Sequence, residues 1–259
     1  MDHRTLTRAN VPGWLFVLLV TVLVEVSVRV FDLSDSVPAP SATLRALVDG
    51  LSSGTLSSEI GTTFEAYAQG LGMAIVVGVA LGVVIGSSRR LLDASSVVIE
   101  FLRPIPAVAL IPLAILFFGL GVEMRRFVIA YAAFWPILIN AMYGARGSDQ
   151  ILHDVARTSG VGSLGRLVRV TLPAALPSIA TGIRVSASIA LLVAVTAEFV
   201  TGTEGIGSYM QRQQLAFHLP EMYAAVVLVG VLGYAINVVF RITERRALFW
   251  VGEERMTRR

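Results

Sequence analysis

Apolar residues in this chain fall in long runs separated by short polar, arginine-bearing segments, a pattern of neither alternating strands nor amphipathic surface helices. Crossing the roughly 30 Å hydrocarbon core of a bilayer takes about 20 mostly apolar residues at 1.5 Å per residue. Six segments meet that requirement: 12–31, 64–86, 98–119, 126–144, 178–200 and 222–241. The pattern therefore predicts an all-α membrane protein with six transmembrane helices. The first run follows Arg4 and Arg8, as a signal peptide's apolar region would, but it is long and no A-x-A site follows closely. It is read as a retained span.

The polar punctuation sets the orientation. Segments before span 1, after spans 2 and 4, and after span 6 carry fourteen arginines, against four on the opposite side (Arg45, Arg125, Arg126 and Arg212). The positive-inside bias places both termini and the loop 145–177 in the cytoplasm. The chain then divides into 1–63 (tail, first span and external loop), 64–241 (a core of five helices carrying the loop 145–177) and 242–259 (a cytoplasmic tail). Within the external loop, VPAPSATLRALVDGL reads as a turn and a short amphipathic helix in a solvated connector.

Composition agrees and excludes several chemistries. Hydrophobic residues make up 55% and charged residues 15%, where a soluble domain carries roughly 25% charged. With no cysteine there is neither a disulfide framework nor a thiolate site, and His3, His153 and His218 show no ligand spacing, so no metal site is expected. All 21 basic residues are arginine. Without lysine the chain cannot carry a Walker A loop or form a Schiff base, so no nucleotide or other cofactor is expected on it. The arginines flank apolar runs rather than lining one helix face, which argues against nucleic acid. No H-E-x-x-H motif appears and no catalytic residue is expected.

The loop 145–177 is the segment that an ordinary connector does not explain. Asp149 is placed to cap a helix over 151–159, and Gly160 to end it in the left-handed conformation. Ser163 is placed to cap a second short helix, SLGRLVRV, which Leu172-Pro173 stops, and Pro177 opens span 5. Small residues at Ala156, Ser159, Gly160 and Gly162 leave a smooth knob. By these residues alone the element is either a docking knob or an amphipathic helix lying on lipid headgroups.

Charges within spans draw a functional reading by default. Glu25 and Arg29, four residues apart, read as a structural pair on one helix face. Arg103 and Arg184 sit near the cytoplasmic ends of spans 3 and 5, to snorkel to headgroups or to line the inner mouth of a pathway. Glu198 lies near the outer end of span 5 before the turn TGTEGIG, as a gate or docking carboxylate or as a helix-end group in water. Asn140 is placed to contact substrate or bond a neighbouring helix. Pro104, Pro106, Pro112 and Pro136 are expected to bend spans 3 and 4. Gly70, Gly72, Gly78 and Gly82 are expected at close helix contacts.

The pattern D-V-A-R-T-S-G with V-x-L-P further on resembles the EAA motif of ABC importer permeases. Asp154 stands for the Glu, Val155 and Ala156 for the two Ala, Gly160 for the Gly, and Leu172 and Pro173 for the closing pair. Asp for Glu and Val for Ala are departures that leave the spacing intact. RPIPAVALIPLAILFFGLG, FWPILINAMYGAR, AEFVTGTEGIGSYM and ERRALFW look like signatures of the nitrate/sulfonate/taurine permease subfamily, so the likeness covers about residues 60–250.

The resemblance implies a type I ABC importer permease fold in a bacterial inner membrane. It implies a permease subunit forming the path for a small solute such as an organosulfonate, taurine or nitrate. Its partners would be a second permease copy as a homodimer, two ATPase subunits that use ATP and magnesium, and an extracytoplasmic substrate-binding protein. Asp154, Val155, Ala156, Arg157, Ser159, Gly160, Leu172 and Pro173 would couple the chain to the ATPase, with Glu198, Arg103, Arg184 and Asn140 as pathway or gate residues. The alternatives are an ion-gradient-driven secondary transporter, which should show inverted repeats and buried ionisable groups, and an ABC permease for a thiamine-precursor-like heterocycle.

Overall fold

The computed structural model describes residues 11–31 and 37–248. Arg4, Arg8, Asp32, Asp35, Arg255, Arg258 and Arg259 lie outside them. Among the described residues the secondary structure is wholly helical: α1 (Val11–Val30), α2 (Pro40–Ser52), α3 (Thr55–Gly86), α4 (Arg89–Leu102), α5 (Ile111–Phe118), α6 (Val122–Arg146), α7 (Gln150–Thr158), α8 (Ser163–Arg166), α9 (Leu172–Thr201), α10 (Ile206–Leu215) and α11 (Leu219–Ala247). Four helical stretches are long and apolar enough to cross a membrane: Thr55–Gly86, Val122–Arg146, Ser163–Thr201 and Leu219–Ala247. A bent pair, Arg89–Leu102 with Ala107–Phe118, can serve as a fifth.

The centre of the fold is a three-helix stack, α3 on α6 on α9. Lipid tails are as apolar as leucine, so spans associate through close packing, which small residues permit. In α3 the small residues recur every four positions at Gly70, Ala74, Gly78, Gly82 and Gly86, which keeps them on one face. A Cβ at Gly70 would stand 2.7 Å from Ile129 Cγ2, at Gly78 2.9 Å from Ile137 Cγ2, and at Gly82 2.5 Å from Ala141 Cβ. Gly86 closes the seam against Met142. Gly72, two residues off the stripe, has nothing within 4 Å; its expected close-packing role is wrong because its face points away from α6. On the other side of α6, a Cβ at Gly144 would lie 2.9 Å from Ala175 O, and one at Gly182 2.8 Å from Asn140 Cβ. The core of Val128, Ile129, Ala133, Ile137, Ala187, Ala190 and Ala194 fills the stack.

Four local expectations change. The third expected span, 98–119, is not one helix: α4 ends at Leu102, and the chain turns by 80° before resuming at Ala107. Pro104 and Pro106 fall in that break, where a continuing helix would lack their N–H groups, and the Tyr131 hydroxyl donates to Leu102 O at 2.6 Å to hold it. Leu172-Pro173 does not stop a helix. Residues 163–201 form one rod, and a π-helical turn at Leu167–Thr171 stands directly before Pro173, so the proline, which lacks an N–H, falls at an irregular turn of a continuing helix rather than at its end. Pro177 lies inside that rod rather than at its entry. Ser163 does not cap α8; Gly162 occupies the cap position and no side chain bonds there.

The periphery is lightly attached. α2 forms as the amphipathic pattern predicts and packs on α11 and α3. Glu25 pairs with Arg29, as expected, and also caps α2: its Oε2 accepts from Ser41 N at 2.9 Å and its Oε1 from the Ser41 hydroxyl at 2.8 Å. A carboxylate at the N-terminus of α2 satisfies free N–H groups and faces the positive end of the helix dipole.

Candidate functional site

Two polar regions stand at opposite ends of the stack. At one end, α3 and α6 begin and α9 finishes. Arg125 and Glu198 both fall on apolar stripes of their helices, Met124–Val128–Ile129 in α6 and Ala190–Ala194–Ala197 in α9, so packing the stripes buries the charges. Glu198 is fully buried and Arg125 is 5% exposed. Arg125 donates to Glu198 Oε1 at 2.9 Å and to Glu204 O at 2.6 Å. Glu198 Oε2 accepts from the Thr63 hydroxyl at 2.8 Å and from Gly207 N at 3.1 Å. The carboxylate thus ties α3, α6, α9 and the first turn of α10 into one knot, to which Arg125 adds the turn 202–205 through Glu204 O, and the reading of Glu198 as a helix-end group in water fails.

The turn is shaped to fit. Gly202 adopts the left-handed conformation that ends α9, with its N–H donating to Glu198 O at 2.9 Å. Gly205 has φ +137° and presses so closely on the Glu198 carboxyl that a Cβ there would overlap it. Glu59 accepts from Gly205 N at 3.0 Å and pairs with Arg212, which donates to the Ser208 hydroxyl at 2.7 Å. Arg125, Thr63, Glu59 and Arg212 are members of this site that the sequence reading did not single out. In sequence Arg125 reads as one of the external charges that set the topology, although its i, i+3, i+4 relation to Val128 and Ile129 is the signal that it points inward.

At the other end lies the loop 145–177. Asp149 caps α7, accepting from Ile151 N at 2.9 Å. Gly160 takes φ +79° and the chain closes with Val161 N donating to Ala156 O at 2.9 Å, a left-handed helix end as the sequence predicts. Asp154, Val155, Arg157, Ser159 and Gly160 are exposed and Ala156 is half-buried. Leu172 and Pro173 do not join this group. They lie in the rod, where Leu172 packs against the cluster of Val83, Ala141 and Ala145.

The remaining candidates separate. Arg103 sits at the break after α4, beside a cavity of about 330 Å³ walled by Pro106, Tyr131, Trp135 and Val193. Arg184 donates to Glu244 at 3.1 Å, so α11 neutralises its charge. Asn140 donates to Pro136 O of its own helix at 2.8 Å rather than bonding a neighbouring helix. Among the described residues no group of three or more His, Cys, Asp or Glu is placed to hold a metal ion.

Comparison with known proteins places these features. The profile of the family described as binding-protein-dependent transport system inner membrane component matches residues 74–248. The putative aliphatic sulfonates transport permease protein of Bacillus subtilis is 32% identical over 216 residues, covering 82% of this chain and 77% of that protein. The nitrate import permease protein of Leptolyngbya laminosa is 32% identical over 181 residues, covering 70% and 65%. A chain of the MetNI methionine ABC transporter, in an inward-facing conformation, superposes with a TM-score of 0.66 at 18% identity over 74% of this chain and 95% of that one, which shows a shared fold. The chain therefore belongs to the family of inner-membrane components of binding-protein-dependent transport systems, as an ABC transporter permease.

Proposed function

We propose that this chain forms the membrane path of an ATP-driven importer for a small oxyanion or organic anion, and that α7 couples it to a separate ATPase. The observation that carries this reading is α7 itself. It stands off the stack and packs on the short helix after it, yet it presents Ile151, Leu152 and Val155 with 69%, 53% and 57% of their surfaces exposed. A helix of nine residues with three exposed apolar side chains is marginal in water. A groove on a partner would bury them, and the lysine-free chain needs such a partner to use ATP and magnesium.

On this reading α1 and the bent pair complete six spans, with both termini in the cytoplasm of a bacterial cell. Two copies of the chain enclose the path and an extracytoplasmic protein delivers the substrate. The anion class follows from relatives named for aliphatic sulfonates and nitrate. It fits Arg103, which makes no ion pair among the described residues and lines a cavity walled mostly by apolar and aromatic residues.

The test is Val155→Asp. The side chain is exposed, so the fold should tolerate the change, while a charge in an apolar groove should not be tolerated. Uptake into cells should fall at least about tenfold, the equivalent of 1.4 kcal/mol of lost docking, with the permease still present in the membrane. Full uptake together with substrate-stimulated ATPase activity in the variant would remove α7 from the coupling role.

A further inference from the structure

Beneath α7, between it and the ends of α3 and α6, is a second cavity of about 350 Å³. Its wall carries Arg146 from the last turn of α6, Arg157 from α7 and Arg166 from α8, together with His153, Asp154 and Ser87. Topology accounts for arginines on this side of the membrane. It does not account for three of them, from three separate helices, converging on one concavity.

The charges also stand apart. None of the three arginines lies within ion-pair distance of Asp154 or of any other described carboxylate. Arg166 donates to Val161 O at 2.9 Å, which fixes its head group, and Thr171 is buried in the wall. His153 bonds the Ser148 hydroxyl at 2.8 Å. Three guanidiniums against one carboxylate leave a net positive, polar hole that no side chain of the described structure fills. Planar guanidinium forks match the oxygens of a phosphate group in pairs.

We propose that this cavity holds a phosphate-type oxyanion, either free phosphate or the phosphate of an anionic lipid headgroup. The site sits where the spans α3 and α6 end, the level at which both sources meet the protein. A bound phosphate would join Arg146 of the stack to Arg157 of α7 and so brace α7 against the spans. The ligand is distinct from the transported solute, and its binding does not depend on α7 docking to an ATPase.

The experiment uses the full chain in dodecyl maltoside micelles, which contain no phosphate. Radiolabelled inorganic phosphate is titrated by equilibrium dialysis, and retention of added phosphatidylglycerol is followed by native mass spectrometry. Saturable phosphate binding is expected, weakened about tenfold in each of Arg146→Gln and Arg157→Gln, the size of one lost charge-assisted bond. Both arginines are exposed, so the variants should fold. Asp154→Asn removes the opposing charge and should tighten binding, a gain that misfolding cannot produce. Phosphate binding without phosphatidylglycerol retention supports the free anion. Retention of phosphatidylglycerol that phosphate displaces supports the headgroup. Equal retention of both probes by the wild type and the Arg146→Gln/Arg157→Gln double variant, or unchanged or weaker phosphate binding in Asp154→Asn, overturns the proposal.

Discussion

Arg125 and Glu198 lie 73 positions apart in sequence and meet as a 2.9 Å ion pair that water scarcely reaches. Two charges withdrawn from water need each other and further donors to offset their desolvation. Glu198 finds those donors in Thr63 and Gly207, while Arg125 finds an acceptor in Glu204 O. The pair is thus the point through which α6, α9 and the turn after α9 are registered on one another.

Breaking that pair from one side should be worse than removing it. Arg125→Met or Glu198→Leu alone strands a buried charge, at a cost of about 3–5 kcal/mol. The double variant strands none and should recover much of that loss. Thermal unfolding of the purified chain checks this: a double variant no more stable than the weaker single would show that the partners do not compensate each other.

The turn sharpens the same argument at Gly205. Gly205→Ala must both hold φ +137° and displace the Glu198 carboxyl. Gly54→Ala meets only the backbone strain of φ +79°, since nothing stands within 4 Å, at a cost of about 1–2 kcal/mol. Gly205→Ala should therefore lower the unfolding midpoint well beyond Gly54→Ala. Equal shifts would mean that the carboxylate has room to move.

These two sites show what the sequence made legible. Helical spans are visible as apolar runs, and the end of α7 is visible in Asp149 and Gly160, because caps and left-handed residues are local. Leu172-Pro173 reads as a stop because proline ends helices from within, yet the helix continues through it with a π-helical turn just before Pro173, an irregularity that nothing local announces. Glu198 stood out as a charge beside apolar residues. Its partners did not, since Thr63 lies 135 positions away and nothing local to it forecasts the meeting. The break after Leu102 is foreshadowed by Pro104 and Pro106, but the Tyr131 hydroxyl that bonds Leu102 O at the break comes from another helix, and nothing local announces it.

The glycine seam gives a paired test of packing. Gly82→Leu must push its side chain through Ala141 Cβ, 2.5 Å from the position of its own Cβ, and part α3 from α6. Gly72→Leu enters open space on the same helix. Overpacking a tight contact costs about 1–3 kcal/mol, and more where backbone must move. The amount of folded chain extracted from membranes should drop sharply for Gly82→Leu and stay near wild type for Gly72→Leu. Similar losses in both would place the closest contact of α3 elsewhere.

Orientation can be read directly, because the chain has no cysteine of its own to confuse the result. Ser57 lies in the first turn of α3 and Val155 on α7, at opposite ends of the stack, and both are exposed. The excess of arginines around α7 and at the end of α11 argues that this end faces the cytoplasm. In intact cells whose outer barrier is permeable to small reagents, a membrane-impermeant maleimide should label Ser57→Cys and leave Val155→Cys unmodified. Permeabilising the inner membrane should then expose Val155→Cys, with its 57% accessible surface, to full labelling. The reverse pattern would invert the protein and put α7 out of reach of any cytoplasmic ATPase. Slow labelling of Val155→Cys even after permeabilisation, reversed when the partner is stripped away, would show the helix already covered by that partner.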